Sequence, residues 1–307
     1  MHDPFPLPAP TWLVRAVTPL ADALNLPTLP LHSHEILFAF ALYQFTQTAV
    51  SPALSKRLFP QTYANLSPRS RLNWDVHVVS LLQSVLVCAT ALWVMSVDGE
   101  RKDMGWEARV WGYTGGTGLV QALATGYFAW DLVVTARNVR VFGPGMLAHA
   151  VAALTVFSFG FRPFVNYYGP TFILYELSSP FLNVHWFCDK LNMTGSTLQF
   201  LNGLCLLATF AGCRLVWGSY NSVLVYYDAW RAFAASSSSG PAFSLKALSA
   251  ADAEALRFYG TGDADVPLWL VAAYLGSNLT LNGLNWYWFG KMIETLRKRF
   301  DPPFGTR

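Results

Sequence analysis

The side chains able to do chemistry in this chain are few, and they sit in apolar surroundings. His77, Asp131, His149, Glu176, Arg214 and Asp228 all fall within or at the ends of hydrophobic stretches. An ionisable group in hydrocarbon is costly, so it faces a partner, a cavity or the interior of a helix bundle. The densest polar cluster is Tyr175-Glu176-Leu177-Ser178-Ser179-Pro180-Phe181-Leu182-Asn183, which is too apolar to be an ordinary surface loop. His149 lies in the run Met146-Leu-Ala-His-Ala-Val-Ala-Ala-Leu154. With Asp131 it could form a general-base pair, the carboxylate orienting the imidazole. A core histidine bonded to a neighbouring helix fits the same residues. For Arg214 the simpler expectation is pairing with a carboxylate such as Glu176, or snorkelling. No two of the six histidines are spaced i, i+4, so the spacing predicts no metal site.

Helical spacing groups these residues further. His77, Ser80 and Gln83 share one face, and Tyr127 and Asp131 share another. Glu176 pairs with Pro180 on one face, and Ser179 with Asn183 on the next. Proline at 180 deprives the carbonyl near Glu176 of its helical donor, which predicts a bend opening onto a polar partner. Tyr127, Asp131, His149, Glu176, Ser179, Asn183 and Arg214 are therefore the candidate binding residues.

The elements that carry them are read as membrane helices. The chain of 307 residues is 53% hydrophobic and 13% charged, against about 25% charged in an ordinary soluble domain. Its twelve Trp, thirteen Tyr and twenty-two Phe suit aromatic belts at a bilayer surface. A net charge of +3, small and scattered, argues against nucleic-acid binding. The four cysteines form no CxxC pair and read as small core residues.

Seven segments approach the ~20 apolar residues that a spanning helix needs, near 35–54, 76–97, 109–134, 146–161, 164–182, 198–229 and 266–292. The fold class expected is all-α, a multi-pass transmembrane bundle of about seven spans. Gly115-Gly116-Thr117-Gly118 lacks the strand and the Lys-Ser/Thr of a phosphate loop, so close helix packing is the reading preferred. No cofactor motif is present. Residues 1–30 read as an N-terminal tail, 31–230 as the main transmembrane domain and 231–265 as a flexible loop. The last span occupies 266–293, and 294–307 form a basic tail. The Pro-rich opening has no basic n-region, so the first span is expected to act as the insertion signal. Basic residues favour a cytoplasmic C-terminus, which puts the sequon Asn192-Met193-Thr194 on the unglycosylated side.

The order Asn73-Trp74-Asp75-Val76-His77, Gly126-Tyr127-Phe128-Ala129-Trp130-Asp131, His149, Glu176-Leu-Ser-Ser-Pro-Phe-Leu-Asn183, Asn202-Gly203, Arg214 and Leu284-Asn285-Trp286-Tyr287-Trp288 resembles the TLC-domain family. That family shares its membrane fold with ceramide synthases and translocon-associated lipid proteins. The resemblance covers about residues 70–230, with a looser echo near 280–295, and is strongest to the branch outside the synthases. The synthases' paired histidine has become His149-Ala150. Their two aspartates correspond to the region Leu177-Ser178-Ser179-Pro180, which has no acid, and Gln83 stands where many non-synthase members carry histidine. The resemblance implies a protein of an internal membrane, the endoplasmic reticulum, that binds or senses membrane lipid in lipid homeostasis. The alternative is a lipid-modifying, acyl-CoA-dependent acyltransferase using His149 and Asp131.

Overall fold

The computed structural model describes residues 1–162, 164–237 and 268–300. Among these residues lie nine helices of more than ten residues: α1 (Thr11–Leu24), α2 (Leu29–Phe45), α3 (Pro68–Val97), α4 (Gly115–Arg137), α5 (Pro144–Phe159), α6 (Ser179–Lys190), α7 (Thr197–Phe210), α8 (Gly218–Ser237) and α9 (Leu268–Phe300). Among the described residues there is no β-strand. Among the described residues, three helical stretches are long and apolar enough to cross a bilayer: Pro68–Val97, Trp106–Arg137 and Thr197–Ala234. The all-α bundle expected from the sequence is what the chain forms.

Local signals set the helix ends. Ser67 caps α3 by accepting the Ser70 amide, and Pro68 occupies the first turn, where its missing N–H costs nothing. Thr114 and Thr117 cap α4 reciprocally. The stretch Trp106–Arg137, a short helix (Trp106–Trp111) leading into α4, is the central one: 78% of its apolar window is buried, against 39% for Pro68–Val97 and 28% for Thr197–Ala234. Being apolar on every side, α4 is enclosed by neighbours rather than lying at a surface. It packs on α2, α3 and α5, and α5 in turn packs on α9. A Cβ at Gly126 would overlap the Ile36 carbonyl of α2, so glycine there is what lets the two backbones meet. The outward faces of α3 and α7 carry exposed Leu82, Val85, Leu92, Leu198, Leu201 and Leu204, consistent with lipid contact.

Two spans depart from regular α-geometry in a way that periodicity does not reveal. Helix α2 runs through a π turn, Thr46–Val50, into Ser51–Leu58, and α7 runs through a π turn, Ala211–Trp217, into α8. The fifth expected span, 164–182, is not a single helix. It is a 3-10 turn (Asn166–Tyr168), a short helix (Gly169–Ile173), a second 3-10 turn (Leu174–Ser178) and then α6. Pro170 and Pro180 each sit in the first turn of a helix, so each starts a segment instead of bending a longer one. The expected shared face of Glu176 with Pro180 is therefore split between the 3-10 turn and α6, whereas Ser179 and Asn183 do share a face, i, i+4 on α6.

The expected 1–30 tail contains α1. The expected loop at 231–265 falls largely outside the described residues, and within it 231–237 complete α8. Cys88, Cys188 and Cys213 are buried and Cys205 is exposed, all as free thiols.

Candidate functional site

The irregular segment before α6 sets out the polar centre. Glu176 lies in the 3-10 turn, where its Oε2 accepts a hydrogen bond from Ser179 Oγ at 2.8 Å. Arg214 comes from the π turn between α7 and α8. Its Nε donates to Ser178 Oγ at 3.0 Å, its Nη1 to Asn285 Oδ1 at 3.1 Å and its Nη2 to Ser179 Oγ at 3.3 Å. Glu176 Oε1 lies 3.5 Å from the same Nη2. Both charged side chains are over nine-tenths buried, at 8% and 9% exposure. The expected Arg214–Glu176 pair is present, and the arginine additionally ties α6 and α9 together.

A second polar junction joins α3 to α6. The His77 ring lies at the end of the Asn183 carbonyl, Nδ1 to Oδ1 at 2.7 Å, while Asn183 Nδ2 donates to Ser80 Oγ at 3.0 Å. The His77 ring stacks on Trp186 with centroids 4.2 Å apart. The His77–Ser80–Gln83 face is thus split. Its first two members hold Asn183, whereas Gln83 is fully buried with neither amide atom hydrogen-bonded among the described residues.

Between these junctions lies a cavity of about 510 Å³. Of the candidate residues, Tyr127, Asp131, His149, Glu176, Ser179 and Arg214 line it. Asn183 does not, and acts one layer out through Ser80, which does. A second cavity of about 350 Å³ shares His149 and Glu176 with the first. It is lined mainly by apolar side chains, among them Phe128, Phe157, Phe172, Val271 and Leu275. The first chamber sets its polar groups among apolar ones and the second is almost wholly apolar, with His149 and Glu176 where they meet.

Asp131 accepts a hydrogen bond from Thr135 Oγ1 at 3.3 Å. His149 packs edge-on against Phe128 and Trp288, and its buried Nδ1 has no hydrogen-bond partner among the described residues. His149 and Asp131 therefore share a chamber, but no hydrogen bond among the described residues joins them. His185 also lines the first chamber, and its buried Nδ1 has no hydrogen-bond partner among the described residues. His185, Gln199, Trp288 and Lys291 also line it and were not among the residues chosen from sequence. Lys291 and Trp288 share a face of α9 by their i, i+3 spacing, a signal available in the sequence but obscured by the helix's exposed aromatic residues.

At one end of the bundle, outside the spans, Tyr63 donates to Asp75 Oδ1 at 3.0 Å. Burial and the neighbouring carboxylate push its phenol up to about 12, so it stays a donor at neutral pH.

The sequence profile of the TLC domain matches residues 73–294. The chain belongs to the TLC-domain family. An uncharacterized TLC domain-containing protein of Schizosaccharomyces pombe is 38% identical over 292 residues, covering 94% of this chain and 87% of the relative. Topoisomerase I damage affected protein 4 of Saccharomyces cerevisiae is 28% identical over 278 residues, 88% of this chain and 86% of the relative. TLC domain-containing protein 4 of Homo sapiens is 26% identical over 195 residues, 62% of this chain and 69% of the relative. No solved structure matches the chain. The matched region of this TLC-domain protein includes every candidate residue and both cavities' share of α9 up to Glu294.

Proposed function

We propose that this TLC-domain protein binds a membrane lipid in the paired interhelical cavity and thereby serves lipid homeostasis. The observation that carries the reading is the division of the cavity. A chamber of about 510 Å³ presents Asp131, His149 and His185 to a headgroup. The adjoining chamber of about 350 Å³ offers an aromatic and aliphatic lining to a chain. A site for an amphiphile needs that combination of an apolar wall and a few convergent polar groups. The unpartnered nitrogens of His149 and His185 are positions where a ligand oxygen or hydroxyl would complete a hydrogen bond now missing.

The reading is tested by native mass spectrometry of the detergent-purified protein, with lipid analysis of what co-purifies, beside His149→Ala. One enriched lipid class on the wild type, depleted at least several-fold on a folded variant, supports the site. Equal lipid on both overturns it. The same preparations incubated with acyl-CoA and a lipid acceptor test the acyltransferase alternative, which requires turnover that Asp131→Asn abolishes.

The reading places the protein in the endoplasmic reticulum with its C-terminus in the cytoplasm, a position supported by family resemblance and by the distribution of basic residues. Asn192 lies in an exposed turn between α6 and α7, so it is open to a transferase on whichever side it faces. Asn192→Gln is expected to leave electrophoretic mobility unchanged. A mobility shift would invert the orientation.

A further inference from the structure

Glu35, near the start of α2, is fully buried, and its Oε1 has no hydrogen-bond partner among the described residues. Its Oε2 lies 2.9 Å from His32 Nδ1. Asp3 Oδ2 lies 3.7 Å from the same nitrogen. The three side chains each offer one donor atom, and these atoms all lie within 4.8 Å of one another. The other ring nitrogen of His32 lies 2.5 Å from Tyr113 Oη. His34 Nε2 is 3.8 Å from Glu35 Oε1 but is engaged by the Leu7 carbonyl at 2.8 Å. Among the described residues no Lys or Arg forms an ion pair with Asp3 or Glu35.

Two carboxylates and an imidazole this close, with one acid wholly out of water, require a compensating charge or proton. We propose that Asp3, His32 and Glu35 form a binding site for a divalent transition cation of the zinc class. Zinc bonds to nitrogen and oxygen donors run about 2.0–2.2 Å, which puts tetrahedral donors about 3.3 Å apart. The two separations from His32 Nδ1, 2.9 and 3.7 Å, bracket that value, and the two carboxylate oxygens lie within 4.8 Å of each other. A dication neutralises both carboxylates at once. The donor set of one nitrogen and two carboxylates suits zinc, whereas calcium takes about six to eight oxygens. Tyr113 on the far nitrogen fixes the ring as an outer partner of a metal-bound histidine does.

The framework is built to bring the three groups together. His32 and Glu35 are i, i+3 on α2 and so share a face. A Cβ at Gly118 would overlap the His32 ring, and one at Gly115 would overlap the main chain of Asp3. The Gly115-Gly116-Thr117-Gly118 run thus seats the N-terminal segment and the histidine, besides packing helices. None of the three ligands lines the lipid cavity, so the site stands apart from the proposed lipid function. Searching the histidines for i, i+4 pairs overlooks it, because two of its ligands are carboxylates and one comes from a distant segment.

The test uses the full chain, purified in detergent on a tag other than polyhistidine and stripped with a chelator. Zinc is then added, excess is removed by desalting, and bound metal is measured by inductively coupled plasma mass spectrometry. The expected result is one equivalent of zinc per chain, with a raised thermal midpoint. Asp3→Asn, at the exposed edge of the cluster, should weaken binding about ten- to a hundred-fold while leaving the metal-free midpoint unchanged. Tyr113→Phe should weaken it about ten-fold, the scale for an outer partner. Asp22→Asn, on an exposed face of α1, should retain the full equivalent. Zinc absent from the wild type, or equally retained by Asp3→Asn, overturns the proposal.

Discussion

Arg214 and His149 face the same cavity, yet the protein treats them oppositely. The guanidinium is held by Ser178, Ser179, Glu176 and Asn285, drawn from the segment preceding α6, from α6 itself and from α9. The imidazole has ring neighbours only, and its buried Nδ1 is left without a partner among the described residues. A buried charge so fully bonded serves the architecture, because its groups are already committed. A polar atom left unbonded at a cavity wall is available to something that enters. Residue type does not separate these roles; the number of satisfied hydrogen bonds does.

The contrast can be broken most directly at its bonded end. Arg214→Leu leaves Glu176 as an uncompensated carboxylate in low dielectric and should cost about 3–5 kcal/mol, seen as a large drop in thermal midpoint in detergent. A loss of bound lipid with unchanged stability would instead make Arg214 a ligand-contacting group. Asn183→Ala removes the bridge between His77 and Ser80 and should cost about 1–3 kcal/mol, measured the same way. Gln83→Leu tests the converse case, a buried amide with neither end bonded. Replacing it with an apolar side chain of similar volume should be neutral or stabilise by about 1 kcal/mol, and leave bound lipid unchanged. His149→Ala should cost no more than about 1 kcal/mol, while removing most of the co-purifying lipid. Destabilisation by His149→Ala as large as by Arg214→Leu would erase the distinction between the two residues.

Much of the bundle was legible because hydrophobic length is a strong signal. The segments at 76–97, 109–134 and 198–229 all lie inside helices long enough to span. The 164–182 segment was not, because its two prolines read equally well as kinks in one helix or as starts of two, and only packing against α3 and α4 decides. The Glu176–Arg214 pair could be anticipated from two opposite charges in apolar runs. The His77–Asn183 contact could not, since it joins residues 106 positions apart through geometry alone. His185 and Lys291 carry no distinguishing spacing in the sequence, and their place at the cavity wall depends on how α6 and α9 are rotated.

The π turn at Ala211–Trp217 has a consequence for the whole stretch from Thr197 to Ala234. An α-helix turns about 100° per residue, so its two ends are phase-locked: choosing which side faces inward at one end dictates the other. One widened turn releases that lock. Before it, α7 is set against α6, with Phe210 stacked on Phe289. After it, α8 is set against the short helix Trp106–Trp111, where Asp228 meets Arg109 at 2.8 Å. The turn works as a vernier between two alignments that no straight rod could satisfy together, and Arg214 sits on the dial.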